Sequence, residues 1–362
     1  MNVLSLFDGM SCGRIALERL GIDVDNYYAS EIDKYAMKVS EANYPDIIQV
    51  GDITELDLST LPKIDLIMGG SPCQGFSVAG KGLAFDDPRS ALFFEFVRCV
   101  KDLKPKYFLL ENVRMKKEYL DVISEYMGVE PIMINSALVS AQNRVRYYWT
   151  NIPGIKQPEQ RGIVLRDILE TQTDEKPVKD TERNQRHYRN DDEKSLCMTA
   201  TMYKGAGNNG MTLVQETHDK PNKIHDIPRD ILKDNERQRR VYAEEGKSPS
   251  LLARSDSPKI MIPCSNKAVG KLPEKSQTIK AQYYKSSKAN FERKGTFHAT
   301  GVQSKDLTWR KLTPVECERL QTVPDNYTNH VSNTQRYKML GNGWTIEVIT
   351  HILKNMDLSK GK

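Results

Sequence analysis

The opening stretch of the chain alternates two periodicities, and that alternation sets its fold. Val3 to Phe7 is a short apolar run of strand length. Cys12 to Leu20 follows with Ala16 and Leu20 on one helical face and Gly21 as a stop. Asn26 to Ser30 reads as a second strand and Asp33 to Ala42 as a second helix. Ile64 to Met68 is a strand ending in Gly69-Gly70. Leu92 to Val100 is a helix that is apolar on most of its circumference, and Tyr107 to Leu110 is another buried strand. Strands joined through helices lie parallel, in a sheet covered on both faces. Such sheets bind ligands at the carboxyl ends of their strands, so the residues just after each strand carry the functional information.

Four clusters stand at those places. Phe7-Asp8-Gly9-Met10-Ser11-Cys12-Gly13 joins the first strand to the first helix. Its glycines let a ligand approach the backbone, and the helix start offers free N–H groups. It is not GxGxxG, which disfavours hydride chemistry. Glu31 ends the second strand, where an acid can bind two ribose hydroxyls, and Asp52 follows Gly51 at a third strand end. Singly, each is also an ordinary turn residue. As a set they suggest an adenosine-containing cofactor without an essential pyrophosphate. The second cluster, Gly69 to Ser77, holds Cys73 in a Gly/Pro/Ser turn, a place unlike that of a core cysteine such as Cys99. The loop from Gly75 to Arg89 has the glycines of a movable lid. The third is Glu111-Asn112-Val113, whose apolar approach favours a retained proton. The fourth, Gln142 to Arg146, puts Arg144 and Arg146 on one face of an extended segment, suited to an anion or a carbonyl oxygen.

After Trp149 the texture becomes polar, with scattered Pro and Asn. Three Lys-Ser segments (194–200, 247–253 and 275–281) each read as a turn followed by a short strand. Net charge is only +5, but residues 247–310 hold 13 Lys+Arg against 4 Asp+Glu. That local excess suggests a polyanion partner, with a solvated Lys-rich surface as the alternative. The six cysteines show no CxxC spacing, which makes a disulfide framework or a zinc site improbable and fits a reducing cytoplasm. No apolar run reaches membrane-spanning length, and the start lacks the pattern of a secretory signal. From Leu312 regularity returns. Thr313-Pro314-Val315-Glu316 is a helix start with Thr as cap, Pro at the first position and Glu at the third, and a last helix runs from Thr345 to Met356.

In this order and spacing the clusters resemble the DNA (cytosine-5) methyltransferase family. Ser71-Pro72-Cys73-Gln74-Gly75-Phe76-Ser77, Glu111-Asn112-Val113 and Gln142 through Arg146 carry the likeness, with Arg310 through Gln321 and Gly341-Asn342-Gly343-Trp344-Thr345. Asp8 and Cys12-Gly13 stand where the family more often has a small residue and Gly-Gly. Gly343-Trp344 replaces the usual Ser/Ala-Val, so Gly343 offers only backbone contacts. These variants look like the branch containing the animal de novo enzymes, and bacterial and phage enzymes share them.

The resemblance implies an α/β fold. It comprises a Rossmann-like S-adenosylmethionine-dependent methyltransferase domain with a mainly parallel sheet (1–165 and 338–362) and a smaller loop- and strand-rich target-recognition domain (166–337). Cys73 would add to C6 of a flipped cytosine, Glu111 would protonate or hydrogen-bond N3, and Arg146 with Arg144 would bind O2. Phe7, Asp8, Gly9, Cys12 and Gly13 would cradle S-adenosyl-L-methionine and its product S-adenosyl-L-homocysteine. Glu31, with Ile32 beside it, would hold the ribose, and Asp52 and Ile53 would contact the adenine. Pro72, Leu92, Asn342, Gly343 and Trp344 would complete the pocket, with no metal. DNA contacts would come from Gln74, Ser77 and Arg89, and from Arg240, Lys247, Ser248, Lys275, Thr278 and Ile279 in the recognition region. The expected partner is double-stranded DNA, and the chain is expected to be a cytoplasmic monomer with a restriction endonuclease as a possible companion. The same core also serves a tRNA-methylating branch, and a catalytically inactive DNA-binding regulator is the reading from another class. Amino-methylating enzymes need a Pro-Pro-Tyr/Phe type motif, whose place Ser71-Pro72-Cys73 takes.

Overall fold

The computed structural model describes residues 1–71, 91–171, 173, 175–179, 181–205, 210–216 and 308–358, and the backbone of three short strands between 223 and 260. The described elements are β1 (Asn2–Leu6), α1 (Cys12–Arg19), β2 (Asn26–Ser30), α2 (Lys34–Asn43), β3 (Ile48–Gln49), β4 (Leu66–Gly69), α3 (Ala91–Leu103), β5 (Tyr107–Val113), α4 (Lys117–Met127), β6 (Ile132–Asn135), β7 (Val145–Thr150), α5 (Glu182–Gln185), β8 (Leu213–Glu216), β9 (Lys223–Asp226), β10 (Arg240–Tyr242), β11 (Lys259–Ile260), β12 (Thr308–Lys311), α6 (Pro314–Leu320), α7 (Asn333–Asn342) and α8 (Ile346–Leu353).

The main sheet has seven strands in the order β3-β2-β1-β4-β5-β7-β6. From β3 through β5 all neighbours are parallel. β7 runs antiparallel to both β5 and β6, because too few residues separate it from β6 for a crossover helix. The central strands are apolar on both faces, with Leu4, Leu6, Ile67 and Leu110 fully buried. Phe93 and Phe96 of α3 and Trp149 of β7 join them in one core. The strand order reverses between β1 and β4, which opens a crevice at the carboxyl ends of these two strands.

Two compact units emerge, Met1–Val214 with Arg310–Lys362 and Gln215–Trp309. The sequence reading put 166–337 in the second domain. The division differs because both flanks of that range are tied to the core. Arg144 donates to the Met198 carbonyl (2.9 Å), Ser140 to Leu320 O (2.6 Å) and Asn43 to Tyr327 O (3.0 Å). The expected cap of α6 is present: the Thr313 hydroxyl accepts from the Glu316 amide (3.1 Å) and Glu316 accepts from the Thr313 amide (2.8 Å). The Glu316 carboxylate, fully buried, also takes both Arg310 Nη atoms at 2.8 Å. Removing one partner of such a pair strands a buried charge, a loss of about 3–5 kcal/mol, so this pair holds the end of β12 against the start of α6.

In the second unit β10 pairs parallel with β11 and antiparallel with β9. Of the three Lys-Ser segments, only the first is described. It does not form the expected strand: Ser195 makes an isolated bridge to Gln142, and the Leu196 amide donates to the Thr212 hydroxyl (2.9 Å) instead of to a neighbouring strand.

Candidate functional site

A cavity of about 570 Å³ fills the crevice beyond β1, β2, β4 and β5, within the size range of cofactor sites. The backbone of the loop after β1 shapes one wall. Phe7 (φ 56°), Gly9 (φ 61°) and Ser11 (φ 61°) are all left-handed, so the chain doubles back, with the Asp8 amide donating to Ser30 O (3.2 Å) and the Ser11 amide to Asp8 O (3.2 Å). The Glu31 carboxylate spans the cavity edge. It accepts from the Gly9 amide (2.7 Å), the Ile32 amide (2.7 Å) and the Asp33 amide (2.8 Å), which fixes its orientation at the end of β2. Asp52 and Ile53 beyond β3, Leu92 on α3 and the exposed Ile32 side chain add apolar and acidic surface to the same space.

Three residues expected to cradle a cofactor have other duties in whole or in part. Asp8 lines the cavity but points its oxygens inward, accepting from the Ser11 hydroxyl (2.5 Å) and the Tyr27 hydroxyl (2.7 Å). Cys12 is buried, and burial pushes its thiol up to about 12, so it lines the wall as an inert neutral group. Gly13 does not line the cavity. A Cβ there would stand 2.5 Å from Met68 Sδ, so this glycine lets α1 pack against β4.

Burial also pushes the Asp8 carboxyl up from 3.8 to about 6, against the lowering effect of its hydroxyl donors. The folded chain therefore holds this proton more tightly than the unfolded one. The contribution favours folding at low pH and is lost as pH rises from about 4 through about 6. Over that window Asp8→Asn is expected to gain up to ~3 kcal/mol of stability relative to the parent. Urea unfolding of both proteins at several pH values measures it, and a pH-independent difference would contradict it.

The other end of the cavity is ionic. Glu111 at the end of β5 is buried, and its Oε1 lies 2.8 Å from Arg146 Nε on the paired strand β7. Its Oε2 accepts from the indole N–H of Trp344 at 3.1 Å. Arg144 and Arg146 both line the cavity, as an extended segment requires, but their bonds differ. The buried Arg144 guanidinium donates to the carbonyls of Met198 (2.9 Å), Gly343 (2.9 Å) and Gly341 (3.3 Å), so it braces the turn after α7. Asn342, Gly343 and Trp344 of that turn line the cavity.

Residues 1–357 match the family model of C-5 cytosine-specific DNA methylases. The chain belongs to that family. Its reaction is methylation of cytosine C5 in DNA by S-adenosylmethionine. An orphan methyltransferase of Bacillus phage SPR, M.SPRI, is 27% identical over 98% of this chain and 97% of its own length. The type II methyltransferase M.HhaI of Haemophilus parahaemolyticus is also 27% identical, over 99% and 95%. Among solved structures, the Entamoeba histolytica methyltransferase EhMeth superposes with a TM-score of 0.64 at 16% identity, covering 98% of this chain and 97% of its own. A Spodoptera frugiperda DNMT2 mutant gives 0.58 at 18% identity, covering 98% of both chains. These structures carry the fold.

Several expected residues of this methyltransferase lie outside the described residues: Pro72, Cys73, Gln74, Ser77, Arg89, Lys247, Ser248, Lys275, Thr278 and Ile279. Arg240 is described only as backbone in β10. The cavity also exposes residues that the sequence reading passed over. Lys338 on α7 pairs with Asp33 across the cavity edge at 2.8 Å. Ser71 Oγ and Asn112 Nδ2 are buried there with no hydrogen-bond partner among the described residues. Asn112 lay inside a recognised motif. Lys338 had no local signal, because its partner is far away in sequence. Among the described residues no helix is long and apolar enough to cross a membrane.

Proposed function

We propose that this methyltransferase works through Cys73, Glu111 and Arg146, with Arg144 holding the site in shape. The observation that carries the reading is continuity: the adenosine-type pocket around Glu31 and the buried Glu111–Arg146 pair belong to one cavity.

The donor set fits S-adenosyl-L-methionine. Glu31 would take the ribose hydroxyls, Phe7, Ile32, Ile53 and Leu92 offer surface to the adenine, and the left-handed loop from Phe7 to Met10 would wall the amino-acid end. When bound, S-adenosyl-L-methionine supplies the electrophilic methyl group that C5 takes up, and the same cavity suits S-adenosyl-L-homocysteine as product. The Cys73 thiolate forms a bond to C6 of the cytosine. The C5=C6 pair shifts to C4=C5, and the C4=N3 pair takes a proton at N3 from Glu111. Arg146, already beside Glu111, is placed to hold the cytosine O2. The C5 proton then passes to water as the C5=C6 bond re-forms, Cys73 leaves as a thiolate, and N3 returns its proton to Glu111.

A base inside a duplex cannot reach a pocket of this kind, so the substrate base must be flipped out. The positive stretch 247–310 suits the phosphates of double-stranded DNA. The chain would work as a monomer in a bacterial or phage-infected cytoplasm, with a cognate endonuclease if it follows its type II relatives and without one if it follows its orphan phage relatives. The test compares methyl transfer to duplex DNA and to tRNA, with bisulfite sequencing to map the sites. Transfer to one short DNA sequence and none to tRNA is expected, and transfer to tRNA alone would overturn the substrate assignment.

A further inference from the structure

Trp344 stands where the cofactor cavity meets Glu111. Its backbone is fixed on both sides. Gly343 O accepts from Arg144 (2.9 Å) and from Gln321 Nε2 (3.0 Å), and the Thr345 hydroxyl donates to Gln321 Oε1 (2.8 Å). The indole is therefore delivered by a braced turn. Its N–H donates to Glu111 Oε2 at 3.1 Å, while Arg146 Nε faces the other carboxylate oxygen at 2.8 Å. The chain keeps open the space in which this contact forms. A Cβ on Gly70 would lie 2.8 Å from Glu111 Oε2 and 3.1 Å from Trp344 Nε1. Gly70 is thus required by the Glu111–Trp344 pair, not by its own backbone angles.

We propose that Trp344 is a positioning residue for Glu111: its N–H aims the side chain and stabilises the carboxylate left when the proton passes to cytosine N3. The inference rests on Glu111 being the acid that supplies that proton. As sulfur bonds to C6, the proton leaves Glu111, and the two donors then face a full negative charge in a buried site. The Trp344 hydrogen bond and the Arg146 ion pair both strengthen as that charge develops. Among the described residues, the other titratable groups near Glu111 are on β7 or in contact with its arginines. Tyr148 lies opposite it in the strand register, Arg144 is one residue before β7, and the Cys197 thiol touches both arginines. None of these supplies a neutral donor at Oε2.

Trp344→Phe keeps the ring against the cofactor and removes the donor. Methyl-transfer kcat measured across pH, with S-adenosyl-L-homocysteine affinity by calorimetry, reads the effect. We expect kcat to fall roughly ten- to hundredfold, the loss of one hydrogen bond to a charged group. Homocysteine-product affinity should be unchanged. Because the acid must be protonated to act, and loss of a donor to the carboxylate removes an interaction that favours the ionised form, the alkaline limb of the kcat profile should move to higher pH. Gly70→Ala, which crowds the same contact from the other side, should move the limb in the same direction. An unmoved profile in both variants, or a loss confined to cofactor affinity, overturns the proposal. Glu111→Gln run in parallel separates the two readings. If it retains turnover, the acid assignment falls and Trp344 with it. If it loses turnover while both other variants keep the parental profile, only the role of Trp344 falls.

Discussion

Cys73→Ala is expected to leave DNA binding measurable and to reduce methyl transfer below detection. Cytosine C5 is a poor nucleophile, and it becomes reactive only when a nucleophile at C6 pushes electrons toward it. Among the described cysteines none can substitute. Cys12, Cys99 and Cys317 are buried with thiols raised by burial, and the Cys197 sulfur sits against the Arg144 and Arg146 side chains. In the sequence Cys73 comes four residues after β4, whose end opens on the cavity through Gly70 and Ser71. Alanine removes only the sulfur, so the cofactor wall and the basic stretch that suits phosphates are unchanged. Methyl incorporation into duplex DNA and a gel-shift titration of the same preparation measure the two halves of the expectation. Turnover near the parental rate would contradict it.

Glu111→Gln is the second large effect. General acid catalysis contributes about 10²–10⁴-fold, and glutamine cannot give up a proton to N3. It retains a carbonyl that can accept from Arg146 or from Trp344, so packing around β5 and β7 is preserved. The loss should therefore appear in kcat, with little change in cofactor affinity. A melting temperature near that of the parent would show that folding is intact. An equal loss of cofactor affinity and rate would mean that Glu111 supports the cavity instead of the chemistry.

The α/β core was legible because its signals are local. The apolar strands β1, β4 and β5 and the helices that follow them each declare a periodicity within a few residues, and the Thr313 cap of α6 reads directly from four letters. Glu31 and Glu111 line the cavity because the ends of parallel strands open onto it, while Arg144 and Arg146 reach it from the start of the antiparallel β7. What could not be read locally is which partner each side chain takes. Asp8 and Gly13 lie in a loop that looks like a cofactor cradle, yet one is held by Tyr27 and the other gives way to Met68. Arg144 and Arg146 share a face as their spacing requires, but only Arg146 meets Glu111. Arg144 is taken up by carbonyls of residues 198, 341 and 343. The compact units divide the chain elsewhere than its texture does for the same reason: polar sequence after residue 165 looks separate, but bonds such as Arg144 to Met198 tie part of it to the core.

The central claim is that Cys73 bonds covalently to the target base before the methyl group moves. Duplex DNA carrying 5-fluorocytosine at the methylated position tests it most directly, because fluorine at C5 cannot leave as a proton does and the adduct cannot resolve. Incubation with S-adenosyl-L-methionine should give a denaturation-resistant protein–DNA complex, with the cross-linked peptide mapping to Cys73 and no complex from Cys73→Ala. Methylation of ordinary substrate with no trapped complex on the fluorinated duplex, or a trapped complex that maps to another residue, would contradict it.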